Sequence, residues 1–147
     1  MGRTILAVVI SYVAMLVVAF IAFTCAFVVF GSEVVFRPGS YEAATTWVAV
    51  AFAINLVDAI IGGFICALIA KRGRAHFALA VVVIVLGLLV AFADTKKRQA
   101  NVGLVRAADI PKMEAIQKAY WPVWVPFAFP FTAATGVLIG GKLKTRS

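Results

Sequence analysis

Hydrophobic residues fill four long runs of the chain, and polar residues collect between them. The runs cover residues 5–30, 45–70, 77–93 and 121–141. An α-helix needs about 20 mainly apolar residues to cross a bilayer, and each run is close to that length or longer. Strands of a membrane β-barrel would alternate apolar and polar residues, which these runs do not. The pattern predicts an all-α integral membrane protein, a four-helix bundle forming a single transmembrane domain over residues 1–147.

The segments between the runs carry turn and helix signals. Residues 37–40 read Arg-Pro-Gly-Ser, with Pro and Gly at the central positions of a β-turn. The connection 71–76 is short, which predicts a tight antiparallel hairpin of the second and third helices. Residues 109–118 predict a short helix with Asp109 as its N-cap and a Glu114–Lys118 pair across one turn. We expect this helix to lie at the membrane surface, and a solvated loop helix is the alternative.

Composition supports the membrane interpretation. The chain is 64% hydrophobic and 14% charged, whereas soluble domains have roughly 45–50% apolar and about 25% charged residues. The net charge of +8 lies mainly at the ends of the apolar runs, which favours contact with anionic headgroups of the lipid bilayer and not with nucleic acid. Lys and Arg divide evenly between the two sides of the predicted bundle. The N-terminal amine and Arg3 favour both termini in the cytoplasm, and we expect a bacterial inner membrane.

One ionisable residue lies in the middle of an apolar run. Asp58 is 13 residues into the second run, near the bilayer midplane, and no Lys, Arg or His lies at that depth. Asn55 shares its helix face, and Thr132 and Thr135 of the fourth run lie at a similar depth. We expect a threonine hydroxyl to donate to Asp58 or Asn55 where the second and fourth helices touch. A proton- or cation-binding carboxylate and a polar clasp between helices are the two interpretations.

Small residues recur every four positions in two of the runs. Ala59, Gly63 and Ala67 form one such stripe, and Gly136 and Gly140 form another. Small residues at this spacing let two helices approach closely, within a bundle or against a partner chain.

The fourth run contains prolines at a spacing of four. Pro122 suits a helix start, whereas Pro126 and Pro130 each remove a backbone donor. The prolines predict a kinked or partly unwound helix with free carbonyl groups at Pro122 and Pro126.

Aromatic residues and the single histidine lie near the predicted membrane boundaries. Trp47, Trp121 and Trp124 fit interfacial anchors, with an aromatic-lined ligand pocket as the alternative. His76 follows a basic turn, where we expect it to be solvated.

No motif in the sequence specifies a known chemistry. There is no Walker-type glycine loop, no HExxH motif and no Ser/His/Asp set at a plausible depth, and we predict no enzymatic activity, no cofactor and no metal. The leading hypothesis is an accessory or scaffold subunit of a larger membrane assembly, with other membrane subunits or self-association as its partners. The alternative is an oligomeric proton- or cation-coupled transporter or channel component that uses Asp58 and Asn55.

Overall fold

The computed structural model describes residues 2–70 and 74–146, and those ranges contain five helices and no strand. The helices are α1 (Gly2–Val35), α2 (Thr45–Ala70), α3 (Ala75–Asn101), α4 (Lys112–Lys118) and α5 (Val125–Arg146). Among the described residues, α1, α2 and α3 are long and apolar enough to cross a membrane. By length and composition, the chain is a helical membrane protein.

The helix α1 contains a break near its end. Gly31 has φ 72° and ψ 167°, a backbone conformation that interrupts the helix before its last turn reaches Val35. The break falls one residue after the predicted end of the first run, so the continuous part of α1 closely matches the prediction.

The bounds of α2 agree with the second run, whereas α3 is longer than the third run. It starts at Ala75 and continues to Asn101, eight residues beyond the predicted end. Those eight residues include Asp94 and Lys97. Hydropathy detects the end of the apolar stretch, and Lys, Arg and Gln are good helix formers that extend the helix beyond it. As a result, Asp94 belongs to a long helix and not to a loop.

The helix of the fourth run begins later in the sequence than predicted. The helix α5 starts at Val125, and Pro122 lies before it, where its carbonyl accepts a hydrogen bond from Val125 N at 3.0 Å. The predictions of a helix start at Pro122 and of a free carbonyl there were wrong. Pro126 lies in the first turn, where a missing N–H leaves no helical hydrogen bond unmade. Pro130 is the proline in the interior of α5, and the helix continues past it to Arg146.

The helix α5 packs between its neighbours. Its most extensive contacts are with α2 and then with α3, while α1 packs mainly on α2. The predicted turn between α2 and α3 includes residues 71–73, which lie outside the described residues. Contacts between α2 and α3 are limited because α5 lies against both. At one end of α2, Arg3 Nε donates to the carbonyl of Ile69 at 3.2 Å, which places the start of α1 beside the end of α2.

The opposite end of the bundle, called here the α4 side, brings two loops together. The predicted turn at 37–40 forms, with Ser40 N donating to Arg37 O at 3.1 Å. Arg106 is 8% exposed, and its Nε donates to the carbonyl of Ser40 at 3.2 Å. Its guanidinium pairs with Glu33 at 3.1 Å and lies 5.6 Å from the centre of the Phe36 ring. Arg106 therefore joins the loop after α1 to the loop after α3.

The short helix α4 was predicted, but its cap was not. Pro111 occupies the N-cap position, no side chain caps the helix, and Asp109 is exposed. The prediction of Asp109 as the cap was wrong. The Glu114–Lys118 pair is present at 2.6 Å, and this hydrogen bond raises the pKa of Lys118.

Candidate functional site

Asp58 faces the interior of the bundle. The residue is 5% exposed, and its carboxylate oxygen Oδ1 accepts no hydrogen bond. A buried carboxylate oxygen without a donor is costly, because burial removes the water that would otherwise solvate it. Small residues near Asp58 on α2, Ala59 and Gly63, bring this helix close to α5. The side chain of Asp58 is therefore buried between the helices. Ser11 Oγ and Arg98 Nε are also buried without a hydrogen-bond partner, and Asp58 is the carboxylate of this group.

A cavity of about 210 Å³ lies beside Asp58, between α1, α2, α3 and α5. Its wall includes Tyr12 from α1, Asn55 and Asp58 from α2, Asp94 from α3, and Pro130 from α5. Most of the wall is apolar, and four of its residues carry polar side chains. A cavity of that size can hold water, which needs a volume of roughly 10–15 Å³ for each probe-sized site and two or more polar partners. The tyrosine hydroxyl, the amide and the two carboxyl groups supply such partners.

Asp94 is the residue that sequence reasoning missed. It lies just beyond the third apolar run, 77–93, in the polar segment that connects this run to the fourth. The extension of α3 carries it along the wall of the same cavity as Asp58. No Lys, Arg or His appears among the described residues of that wall. Lys97, one turn further along α3, acts electrostatically on Asp94, and Asp58 has no such cation on the wall. Continuation of the helix through residues 94–101, which contain no Pro or Gly, is the signal that could have revealed it.

Asn55 holds α2 against α5. Its Nδ2 donates to the backbone carbonyl of Phe129 at 3.1 Å. Phe129 directly precedes Pro130, so this contact supports α5 at its internal proline. Asn55 thus contributes one wall of the cavity while its amide donor is already engaged.

The hydroxyl groups of the two threonines do not donate to Asp58 or Asn55. Thr132 Oγ1 donates to the carbonyl of Ala128 at 3.2 Å, and Thr135 Oγ1 donates to that of Phe131 at 2.9 Å. The prediction that a threonine hydroxyl donates to Asp58 or Asn55 was wrong. A hydroxyl in a helix satisfies itself most easily on the carbonyl one turn earlier, and depth along the membrane does not determine which way it points.

The small-residue stripes form the contact between α2 and α5. A Cβ on Gly63 would collide with the carbonyl of Val137, and one on Gly140 would collide with that of Ile60. A Cβ on Gly136 would lie 2.7 Å from the Cβ of Ala59. These three glycines therefore bring the two backbones together within one chain. Ala67 is half-buried at the end of the same stripe.

A further close contact joins α5 to α3. A Cβ on Gly87 would lie 2.6 Å from Cγ of Pro130, so glycine makes room for the proline ring. Sequence reasoning noticed Pro130 for the hydrogen bond it removes, whereas its ring also forms the wall of the cavity.

The predicted interfacial residues have different surroundings. Trp124 is 59% exposed and stacks on Phe52 at 5.8 Å, as an anchor could, and Trp121 is half-buried. Trp47 is buried and makes edge contacts with phenylalanines of α1, so it belongs to the core. His76 is also buried, and a Cβ on Gly141 would lie 2.5 Å from its ring. The expectation of a solvated histidine was wrong because the end of α5 covers it.

Comparison with protein families, with curated proteins and with solved structures finds no match for this chain. Within the described residues, no group of three or more His, Cys, Asp or Glu side chains could hold a metal ion. The chemistry of the cavity is therefore that of two carboxyl groups, a phenol and an amide. Such groups bind and release protons, or coordinate a small cation through oxygen.

Proposed function

We propose that this protein is a small multi-pass membrane protein that moves protons or a small cation through its interior carboxylate cavity. The observation that supports the proposal is the burial of Asp58, whose Oδ1 has no hydrogen-bond partner, beside a cavity whose wall also contains Asp94. Ionisable groups inside membrane helices are rare and costly, and they mark ion pathways and proton relays in many pumps and transporters. Asp94 supplies a second carboxyl group on the wall of the same cavity.

The proposal includes the membrane arrangement. We place α5 as a fourth span, because its 22 residues have a helical length of about 33 Å, close to the thickness of a bilayer core. Both termini lie in the cytoplasm of a bacterium and the α4 side lies outside the inner membrane. No enzymatic role is assigned, and the transport unit is a single chain or an oligomer of it.

The test is replacement of Asp58 by asparagine in purified protein reconstituted into liposomes. With a potassium diffusion potential imposed, a pH-sensitive dye inside the vesicles reports proton entry, and cation substitution reports cation entry. We expect the parent protein to support flux and Asp58→Asn to reduce it to the rate of empty vesicles, because the amide cannot take up the proton or carry the negative charge.

Two control variants isolate the interior carboxylate. Asp109→Asn removes the same charge from an exposed loop, and Thr135→Val removes a hydroxyl bonded within its own helix. Both should keep the parent rate. Equal flux in Asp58→Asn and the parent, or parent flux no faster than empty vesicles, would rule out the proposal.

An accessory subunit is the second candidate function, and a groove between α1 and α3 favours it. This groove encloses about 490 Å³ and is lined by apolar residues with Thr4 and Tyr12. A partner helix could occupy it. The small-residue stripes lend this function less support than expected, since the glycines Gly63, Gly136 and Gly140 already contact the facing helix of the same chain.

Affinity purification in a mild detergent tests the accessory function. A subunit should bring down a membrane protein in fixed proportion, and bulky substitutions at the groove residues Val8 and Val82 should release it. A matched substitution at Val57, exposed on α2, should retain the partner. A monodisperse species that contains only this chain would contradict the accessory function.

A further inference from the structure

A larger cavity lies on the α4 side, and it shares Asp94 of its wall with the space beside Asp58. It has a volume of about 590 Å³, within the range of roughly 300–1,000 Å³ typical of ligand pockets. Its wall is mainly aromatic and aliphatic, with contributions from α1, the start of α2, α4 and the segment after α4. Phe20 and Val28 belong to this wall and are 74% and 67% exposed, so the cavity opens at the exposed apolar surface of α1.

The helix α4 leaves apolar side chains uncovered at this cavity. Met113 is 68% exposed and Ile116 is 44% exposed, and both line it. These two residues share the wall of the cavity with Trp47 and Trp121, so much of that wall is apolar. A surface of this kind is stabilised when a hydrocarbon chain fills it, since water there is unfavourable.

Two lysines lie on the same cavity wall. Lys97 extends from α3 and Lys112 begins α4, and both are exposed. Neither lysine takes part in the salt bridges formed by Glu33, Glu42 and Glu114. Asp94 lies three residues before Lys97 on the same helix face, about 4.5 Å deeper along α3. Lys97 therefore lies nearer the end of α3 than Asp94 does, and it acts electrostatically on that carboxyl group.

We propose that this cavity binds an anionic phospholipid, with one acyl chain against the aromatic wall and the phosphate between Lys97 and Lys112. The lysines favour an anionic headgroup over a zwitterionic one, and the apolar wall favours a lipid over a free phosphate ion. The opening along α1 admits the chain directly from the bilayer. The inference rests on this cavity alone and does not depend on transport through the carboxylate cavity.

Quenching of tryptophan fluorescence by brominated lipid tests the site. Trp47 and Trp121 line the cavity, whereas Trp124 lies outside it, so a Trp124→Phe background restricts the signal to the two useful residues. The protein is reconstituted into phosphatidylcholine vesicles that contain a small fraction of either dibrominated phosphatidylglycerol or dibrominated phosphatidylcholine. Half-maximal quenching should require severalfold less phosphatidylglycerol than phosphatidylcholine.

The lysine variants then show whether the preference belongs to the cavity. Lys97→Gln and Lys112→Gln should each reduce it by about fivefold, as expected for one lysine near an anionic lipid surface. Lys96→Gln is the matched control, because Lys96 is an exposed neighbour that does not line the cavity. Equal losses in Lys96→Gln and Lys97→Gln, or equal quenching by both lipids in the parent, would overturn the inference. Asp58→Asn should retain the preference for phosphatidylglycerol. The lipid site and the proposed transport are therefore tested independently.

Discussion

Replacement of Gly140 by leucine should lower the free energy of unfolding by about 3 kcal/mol or more. A Cβ at this position would collide with the carbonyl of Ile60 and lie 2.9 Å from the amide nitrogen of Phe64. Both atoms belong to the backbone of α2, which cannot move aside as a flexible side chain can. The two helices must separate, and the contact that holds α5 in the bundle is lost.

The measurement is denaturation of the purified protein in mixed detergent micelles, followed by circular dichroism. Ala53→Leu provides the matched control, because Ala53 is exposed on α2 and the larger side chain would extend toward lipid. That variant should change the free energy of unfolding by no more than about 0.5 kcal/mol. Gly140→Ala should lie between the two. If Gly140→Leu is as stable as the parent, close packing of α2 on α5 does not hold the bundle together.

Replacement of Arg106 by alanine should cost about 2–3 kcal/mol of stability. The hydrogen bond to the carbonyl of Ser40 is the main loss, since hydrogen bonds to a charged donor are stronger than neutral ones. The pair with Glu33 adds little, because the Glu33 side chain is 77% exposed and solvent screens it. Loss of the stacked guanidinium also removes cover from the buried ring of Phe36.

Arg37 provides the control for Arg106. It lies in the same pair of loops, but its salt bridge to Glu42 is at 3.4 Å and its side chain is 52% exposed. Arg37→Ala should therefore change stability by less than about 1 kcal/mol. Arg106→Lys should not restore the parent value, because a single ammonium group cannot replace the planar guanidinium. Hydrogen exchange should show faster opening of residues 36–44 in Arg106→Ala only. Similar losses for both arginines would show that net charge, and not this particular contact, stabilises the loops.

The candidate site was partly predictable. Asp58 and Asn55 were identified because an apolar run makes each polar residue conspicuous, and a period of 3.6 puts them on one face. Asp94 was missed because it lies where hydropathy falls, and a hydropathy profile does not distinguish the end of the membrane from the end of the helix. The threonines were assigned to the site by depth alone, and depth does not include the rotation of a helix about its own axis.

Apolar content and run length were sufficient to predict a helical membrane protein and the bounds of α2, because lipid imposes a minimum length and excludes charge. Which helices touch was settled by three-dimensional packing. By sequence, Gly63 and Gly140 were equally suited to contact a partner chain. Because α5 packs against α2, they lie at a contact within the same chain. Packing also brought Asp94 to the cavity of Asp58 and left an aromatic cavity under α4. These arrangements depend on contacts between distant segments, which local sequence patterns do not encode.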